Sequence, residues 1–304
     1  MKKLLCFGEI LWDVFPEKRE LGGASLNFSA HFVKLGGEAK IISAVGKDDL
    51  GAETLEKVAE LGVNTSLISV IDKKTGVCDV TVDAMGKPSY DLIKDVAYDN
   101  IPLSKEAEAV LKNESADVIY FGTLAQRAQV SKATLKKIIE KAKCTEIFCD
   151  INIRQDYYSG ALLKECFNNA TIVKISRDEF HVLAETGIAK AMKESSFVEY
   201  AESVCRELCK EYAIKLVVVT LDKDGAMVYE AQSDKTYISR VPQSKPVSTV
   251  GAGDSFSASF VINYLRGEPI KVCLERGVTL SDYVITKLGA VPEYTEELKK
   301  ELGM

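Results

Sequence analysis

The sequence predicts an α/β protein: a three-layer α/β/α sandwich with a mostly parallel central sheet and a small β-sheet lid. Three observations predict it. Short, nearly continuous apolar runs alternate with longer amphipathic stretches along the chain. Such runs suit strands buried on both faces, and their alternation with helices gives strand–helix–strand units. Between about Thr75 and Tyr98 the pattern switches to a period of two, as a half-exposed hairpin requires. Finally, the 304 residues carry no repeat, low-complexity tract or long linker, so residues 1–304 are read as one domain.

The strands are KLLCFG (3–8), AKIISAV (39–45), ADVIYFG (116–122), TEIFCDI (145–151), ATIVKIS (170–176) and IKLVVVT (214–220). Helices are predicted over about 25–35, 51–61, 131–142, 177–186, 196–211, 254–266 and 270–287. In sheets of this kind ligands gather at the carboxyl ends of the strands. The hairpin region turns at Met85-Gly86-Lys87-Pro88 and either extends the sheet edge or covers the site as a flap. With the strand-like ILWDVFP (10–16) it makes a lid, contributed by about 10–22 and 74–100.

Composition narrows the function. Apolar residues make up 46% and charged residues 28%, with a net charge of −6, as in an ordinary soluble globular protein. That charge, with no dense Lys/Arg cluster, argues against nucleic acid as a partner. Gly8 and Glu9 end the first apolar run too early for a signal peptide, and no run approaches the ~18 residues of a membrane span. A cytoplasmic location without membrane contact is therefore expected. The eight cysteines lie scattered without a C-x-x-C pair and there are two histidines, so reduced core thiols are the simpler reading than a zinc site. His31 and His181 fit packed or capping roles better than catalysis.

One stretch demands chemistry. VSTVGAGDSFSASFV (247–261) places Gly251-Ala252-Gly253 directly before an apolar pattern at helical spacing. Almost every side chain is removed where a helix starts, which bares backbone N–H groups at the positive end of the helix dipole. Asp254 follows. A first-turn aspartate is a common partner for the dipole; beside an anion hole it is also placed to take a proton from a hydroxyl attacking a phosphoryl group. Other polar residues collect at predicted strand ends: Glu9 and Asp13, then Gly22-Gly23-Ala24-Ser25-Leu26-Asn27, then Asp150, Asn152 and Arg154, then Lys174, Ser176 and Glu179. Each has a plainer reading, such as Ser25 or Ser176 as helix caps and Arg154 as a surface ion pair. No Walker A loop, early dinucleotide fingerprint or protein-kinase element is present.

Two separated signatures, GGASLNFSAHFVKLGGEAKIISAVG (22–46) and STVGAGDSFSASF (248–260), resemble those of the ribokinase-like (PfkB) carbohydrate kinases, along essentially the whole chain. The resemblance implies a ribokinase-like fold and transfer of the ATP γ-phosphate, with Mg²⁺, to a primary hydroxyl of a small sugar. It assigns Asp13, Gly23 and Asn27 to sugar hydroxyls, Asp254 to the general base, and the backbone of Gly251, Ala252 and Gly253 to the anion hole. Lys174, Ser176 and Glu179 fall at the cofactor phosphates, with Glu179 near Mg²⁺ indirectly, and Thr220 and Gly225 in the nucleotide segment. Arg154 in DINIR and the lid sequences resemble fructokinase-like members, which implies fructose, with 2-keto-3-deoxygluconate and ribose as alternatives. Ser248 stands where the family usually has Asp, which argues against activation by K⁺. Ser176 replaces a frequent Asn, and Asp222 a frequent Gly. Fold does not fix function, so a catalytically silent sugar-binding protein is the alternative from another class. A homodimer joined through the lids would cover their strand edges.

Overall fold

The order of the strands, rather than their number, determines where a ligand can sit. The structure, a computed structural model, describes residues 1–82, 88–192, 196–240 and 244–304. The chain runs β1 (Lys3–Phe7), β2 (Leu11–Val14), β3 (Arg19–Gly22), α1 (Ala24–Lys34), β4 (Glu38–Gly46), α2 (Asp49–Glu60), β5 (Ile68–Ile71), β6 (Gly76–Val82) and β7 (Pro88–Leu92). It continues through α3 (Lys105–Asn113), β8 (Ser115–Gly122), α4 (Gln129–Lys141), β9 (Lys143–Asp150), α5 (Gly160–Asn169), β10 (Ile172–Ser176), α6 (Phe180–Glu185) and α7 (Phe197–Tyr212). Last come β11 (Leu216–Thr220), β12 (Ala226–Glu230), β13 (Lys235–Ser239), α8 (Ala252–Leu265), α9 (Ile270–Ile285) and α10 (Glu296–Glu301).

Among the described residues the main sheet has nine strands in the order β13-β12-β11-β10-β9-β8-β1-β4-β5. Pairs from β5 to β11 are parallel, and β12 and β13 close one edge as antiparallel strands. The order reverses at β1, which lies between β4 and β8. Such a reversal opens a crevice at the carboxyl ends of the strands.

Both faces of the sheet are buried, as the continuous apolar runs require. Leu4 and Cys6 of β1 pack into one core with Phe28 and Phe32 of α1, Phe256 and Phe260 of α8 and Leu274 of α9. Leu5 and Phe7 point the other way, into a core with Ile138 of α4, Phe167 of α5 and Leu208 of α7. Each buried side chain of this size contributes roughly 1.5–3 kcal/mol relative to exposure.

The six predicted strands all form. One predicted helix changes. Residues 177–186 form a 3₁₀ turn, Arg177–Glu179, before the short α6, because the Glu179 carboxylate folds back to accept the Ser176 N–H at 2.6 Å. Unforeseen were β5, α3, α5, β12, β13 and α10.

The lid region forms a second sheet, β3-β2-β6-β7, in which β2 and β6 are parallel and the outer pairs antiparallel. Of the predicted turn, Met85, Gly86 and Lys87 lie outside the described residues, while Pro88 begins β7. Buried Trp12 of β2 donates its indole N–H to Thr54 of α2 at 2.8 Å, and Asp48 accepts the Thr75 N–H at 3.0 Å. Both bonds fasten the small sheet beside the crevice. Among the described residues no helix is long and apolar enough to cross a membrane.

Candidate active site

The start of α8 is where the crevice acquires its chemistry. Gly251 occupies the helix N-cap with φ of 80°, a left-handed conformation that residues with a side chain adopt at a cost. A methyl group there would stand 2.6 Å from the Ala290 carbonyl oxygen. The helix begins at Ala252, two residues earlier than the sequence predicts, and the Ala252 N–H turns back to the Thr249 carbonyl at 3.3 Å. Among the described residues, the N–H groups of Gly251, Gly253 and Asp254 have no acceptor in the protein. They form an open cradle of donors at the positive end of a 14-residue helix.

Asp254 lies in the first turn, partly buried, and its Oδ2 accepts the Asn27 side-chain N–H at 2.8 Å. Burial raises its pKa above the usual carboxylate range, and the Asn27 hydrogen bond, Lys174 and Arg154 restrain the rise. Asn27 comes from α1, whose N-cap is Gly23. No side chain at Gly23 can cap that helix, and a methyl there would stand 2.5 Å from the Glu9 backbone oxygen. The Glu9 side chain supplies the missing acceptor, taking the Ala24 N–H at 3.1 Å. Its carboxyl is buried, which pushes its pKa up to about 7. Ser25, weighed above as a cap, lies inside α1 instead and donates to the Phe7 carbonyl.

Behind the cradle stands a buried ion pair. Lys174 of β10 meets Asp150 of β9 at 3.1 Å, with side-chain exposures of 7% and 1%. The Lys174 ammonium would lie 3.5 Å from a methyl placed on Gly253, so it faces the amides. Burial would lower the Lys174 pKa, but the charges of Asp150, Glu179 and Asp254 hold it above its ordinary value. Burial pushes Asp150 up to about 6 despite the lysine. Asp150 Oδ2 has no hydrogen-bond partner. Glu179 braces the backbone, accepting the Ile153 N–H at 2.7 Å as well as that of Ser176. Among the described residues no cluster of three or more His, Cys, Asp or Glu could hold a metal ion by itself.

On the lid side, Asp13 is raised by burial, while the Cys78 thiol and Arg154 favour its charged form. Arg154 is exposed; its carbonyl accepts the Tyr157 N–H at 3.1 Å, but among the described residues its guanidinium has no hydrogen bond or ion pair. It acts electrostatically on Glu9, Asp13 and Asp254 together. The surface ion pair considered for it does not form among the described residues. Thr220 sits opposite Ser176 in the β10–β11 register, and Gly225 closes the turn that follows, accepting the Leu221 N–H at 2.8 Å. Asp222, where a glycine is frequent, adopts φ of 53°, which accounts for that preference. His31 is buried and hydrogen-bonded, and His181 is exposed, bonded to the Asp178 carbonyl.

The structure thus brings Asp13, Gly23, Asn27, Arg154, Lys174, Glu179 and the Gly251–Asp254 turn to one crevice, with Ser176, Thr220 and Gly225 further along the strand ends. Sequence reasoning missed the cap supplied by Glu9 and the pairing of Asp150 with Lys174. The available signal was a carboxylate or lysine inside an otherwise apolar strand end, since such groups are buried only with partners.

The pfkB carbohydrate kinase family model matches residues 1–296. The chain belongs to this family. Among curated relatives, an ATP-dependent 6-phosphofructokinase of Thermoanaerobacterium thermosaccharolyticum is 25% identical over 306 residues, covering 95% of this chain and 89% of that protein. A 2-dehydro-3-deoxygluconokinase of Haemophilus influenzae is 24% identical over 318 residues, covering 96% of each. The fructokinase of Xylella fastidiosa, solved with bound ATP, superposes with a TM-score of 0.80 at 20% identity, covering 95% of this chain and 94% of that one. The carbohydrate-kinase fold, a large mostly parallel sheet with helices on both sides and a small second sheet, is therefore shared. This chain is a sugar kinase of the pfkB family.

Proposed function

We propose that this sugar kinase transfers the γ-phosphate of ATP to a primary hydroxyl of a small sugar, with Asp254 as general base. The observation that carries the reading is the pairing of a carboxylate with unpaired helix-start amides, those of Gly251, Gly253 and Asp254, in one turn. Asp254 would take the hydroxyl proton as the oxygen bonds to the γ-phosphorus and the bond to the leaving β-phosphate oxygen breaks. ADP leaves, and the proton on Asp254 returns to water. The amides and Lys174 face the charge on the transferring phosphoryl oxygens, the largest kind of electrostatic help available. Asn27 orients the base.

Mg²⁺ fits the chemistry present. Asp150 keeps one buried carboxylate oxygen without a partner and Glu179 lies beside it in charge terms, which suits an ion held mainly by nucleotide phosphates and water. Asp150 and Glu179 would hold it, and it would neutralise phosphate charge. Ser176, Thr220 and Gly225 lie where the adenosine end would follow. Asp13, Gly23 and Asn27 face the sugar, and the small sheet closes over it to exclude water, which suppresses hydrolysis of ATP.

Fructose is the first substrate reading, supported by the lid and DINIR sequences and by similarity to a probable fructokinase of Arabidopsis thaliana, 24% identical over 282 residues. A sugar acid such as 2-keto-3-deoxygluconate is the second, favoured by one observation: the Arg154 guanidinium has no partner among the described residues and acts on the sugar-side acid Asp13. A panel of neutral sugars and keto-acids, read as kcat/KM, separates them. Fructose at least tenfold above the acids supports the first reading. The reverse order, lost in Arg154→Ala, supports the second, and binding without turnover for every sugar refutes the kinase reading.

A further inference from the structure

His31 does more than fill the core. It lies one helical turn beyond Asn27 on α1, fully buried. Its Nε2 sits 2.9 Å from the Ala290 carbonyl oxygen and its Nδ1 contacts the Tyr294 hydroxyl. A carbonyl oxygen can only accept, so Nε2 carries the hydrogen. Burial pulls the imidazole pKa down to about 4, so the ring is neutral near pH 7. Nδ1 must then accept the Tyr294 O–H. The chain of donors is therefore fixed in one direction, from Tyr294 to His31 to Ala290.

The same Ala290 oxygen is the atom that a methyl group on Gly251 would approach to 2.6 Å. The segment after α9 thus forms the wall against which the left-handed Gly251 turn is packed. Tyr294 is itself held, with the Lys34 ammonium 5.5 Å above its ring and the Tyr283 ring set edge-on at 6.4 Å. One face of α1 consequently serves both halves of the site. Asn27 orients the carboxylate of Asp254, and His31, four residues on, sets the wall behind the amide cradle.

We propose that His31 is a positioning residue for phosphoryl transfer, fixing Ala290 against Gly251 so that the amides of the α8 start are aimed at the transferring phosphate. This rests on the kinase reading above. Displacement of a transition-state donor by about 1 Å costs up to ~10²-fold in rate, so a wall that shifts should show in kcat.

The test uses His31→Phe, which keeps the ring and removes the donor, His31→Gln, whose amide can still donate to Ala290, and Tyr294→Phe. Each is assayed in the full-length enzyme with ATP and the sugar that the wild type phosphorylates best. His31→Phe should lower kcat about tenfold to a hundredfold with sugar KM changed less than about twofold. His31→Gln should recover much of that loss, and Tyr294→Phe should lower kcat by roughly threefold to tenfold. A purely structural role would lower the melting temperature and leave kcat of the folded protein unchanged. A folded His31→Phe enzyme with wild-type kcat, or equal impairment of the Phe and Gln variants, overturns the proposal. Should His31→Phe fail to fold, wild-type kcat in Tyr294→Phe overturns it instead. Long-range ¹⁵N NMR of the wild type provides a readout apart from activity: the neutral Nε2–H tautomer is expected at pH 7, and the Nδ1–H tautomer contradicts the network. If the wild type phosphorylates no sugar, the kinase reading fails along with the rate prediction, while the tautomer pattern would stand.

Discussion

Asn27 donates its side-chain N–H to Asp254 Oδ2 at 2.8 Å, joining the first turns of α1 and α8 across 227 positions of sequence. That contact makes the proposed base part of a rigid frame rather than a free side chain. It also stabilises the charged carboxylate against the burial that raises its pKa. Asn27→Ala removes the restraint, so the Asp254 pKa should rise further. A base works only when deprotonated, so activity is lost as pH falls through that pKa. The acid limb of kcat/KM should therefore move to higher pH, with a loss of roughly tenfold on that limb and a smaller one on the plateau above it. An unmoved limb would mean the contact is not felt by the reacting group.

Glu9 carries a signed prediction for stability. Its folded pKa is about 7, raised by burial from an ordinary 4.5. Below pH 4.5 both states hold the proton and the group is neutral in effect. As pH rises from about 4.5 to 7 the unfolded state gains by ionising, so stability falls by up to roughly 3 kcal/mol and stays lower above pH 7. Glu9→Gln keeps an oxygen for the Ala24 N–H and removes that loss. Its melting temperature relative to wild type should climb between pH 5 and pH 8; a constant difference would refute the assignment.

Lys174→Met leaves the Asp150 carboxylate buried without its cation. Breaking such a pair costs about 3–5 kcal/mol, because the remaining charge is uncompensated. Asp150 should respond by holding its proton to higher pH, so the penalty, followed by chemical denaturation, should be smallest near pH 5 and grow toward pH 8. The folded fraction should also lose turnover, since the same ammonium faces the cradle. Equal stability at both pH values would contradict the pairing.

Gly251→Ala combines an unfavourable left-handed φ, about 1–2 kcal/mol, with a methyl set 2.6 Å from the Ala290 oxygen. The turn must shift to admit it. Kinetics should show kcat reduced by at least about tenfold while sugar KM holds, since Asp13 and Asn27 are elsewhere. A variant with unchanged kcat would remove the amides from the mechanism.

Much of this was legible in the sequence, and the limits have physical causes. β1, β8, β10 and β11 show as apolar runs because both of their faces are buried. The α8 start shows because two glycines around an alanine strip the side chains from a helix N-terminus, a pattern visible in the sequence before the packing of Gly251 against Ala290 is known. β13 was missed because an antiparallel edge strand alternates with polar residues and blends into loops, as in KTYIS (235–239), whereas β12, AMVYE (226–230), is a short apolar run that follows β11 closely. α3 was hidden in KEAEAVLKN (105–113), a mostly polar helix whose buried stripe is only Ala107 and Leu111. The contacts of Glu9 with Ala24, Lys174 with Asp150, and His31 with Ala290 were beyond sequence reading, because each joins elements whose approach is set by tertiary packing. Arg154 shows the converse, a residue whose type was visible while the lack of a side-chain partner among the described residues was not.

The central claim is that Asp254 removes the proton from the acceptor hydroxyl. The measurement that tests it most directly is ATP-dependent phosphorylation of the preferred sugar by Asp254→Asn, a variant of the same shape without a base, compared with wild type at pH 8. The account predicts kcat lower by at least ~10²-fold, with the melting temperature and ATP binding little changed. Phosphorylation at the wild-type rate by folded Asp254→Asn would contradict it.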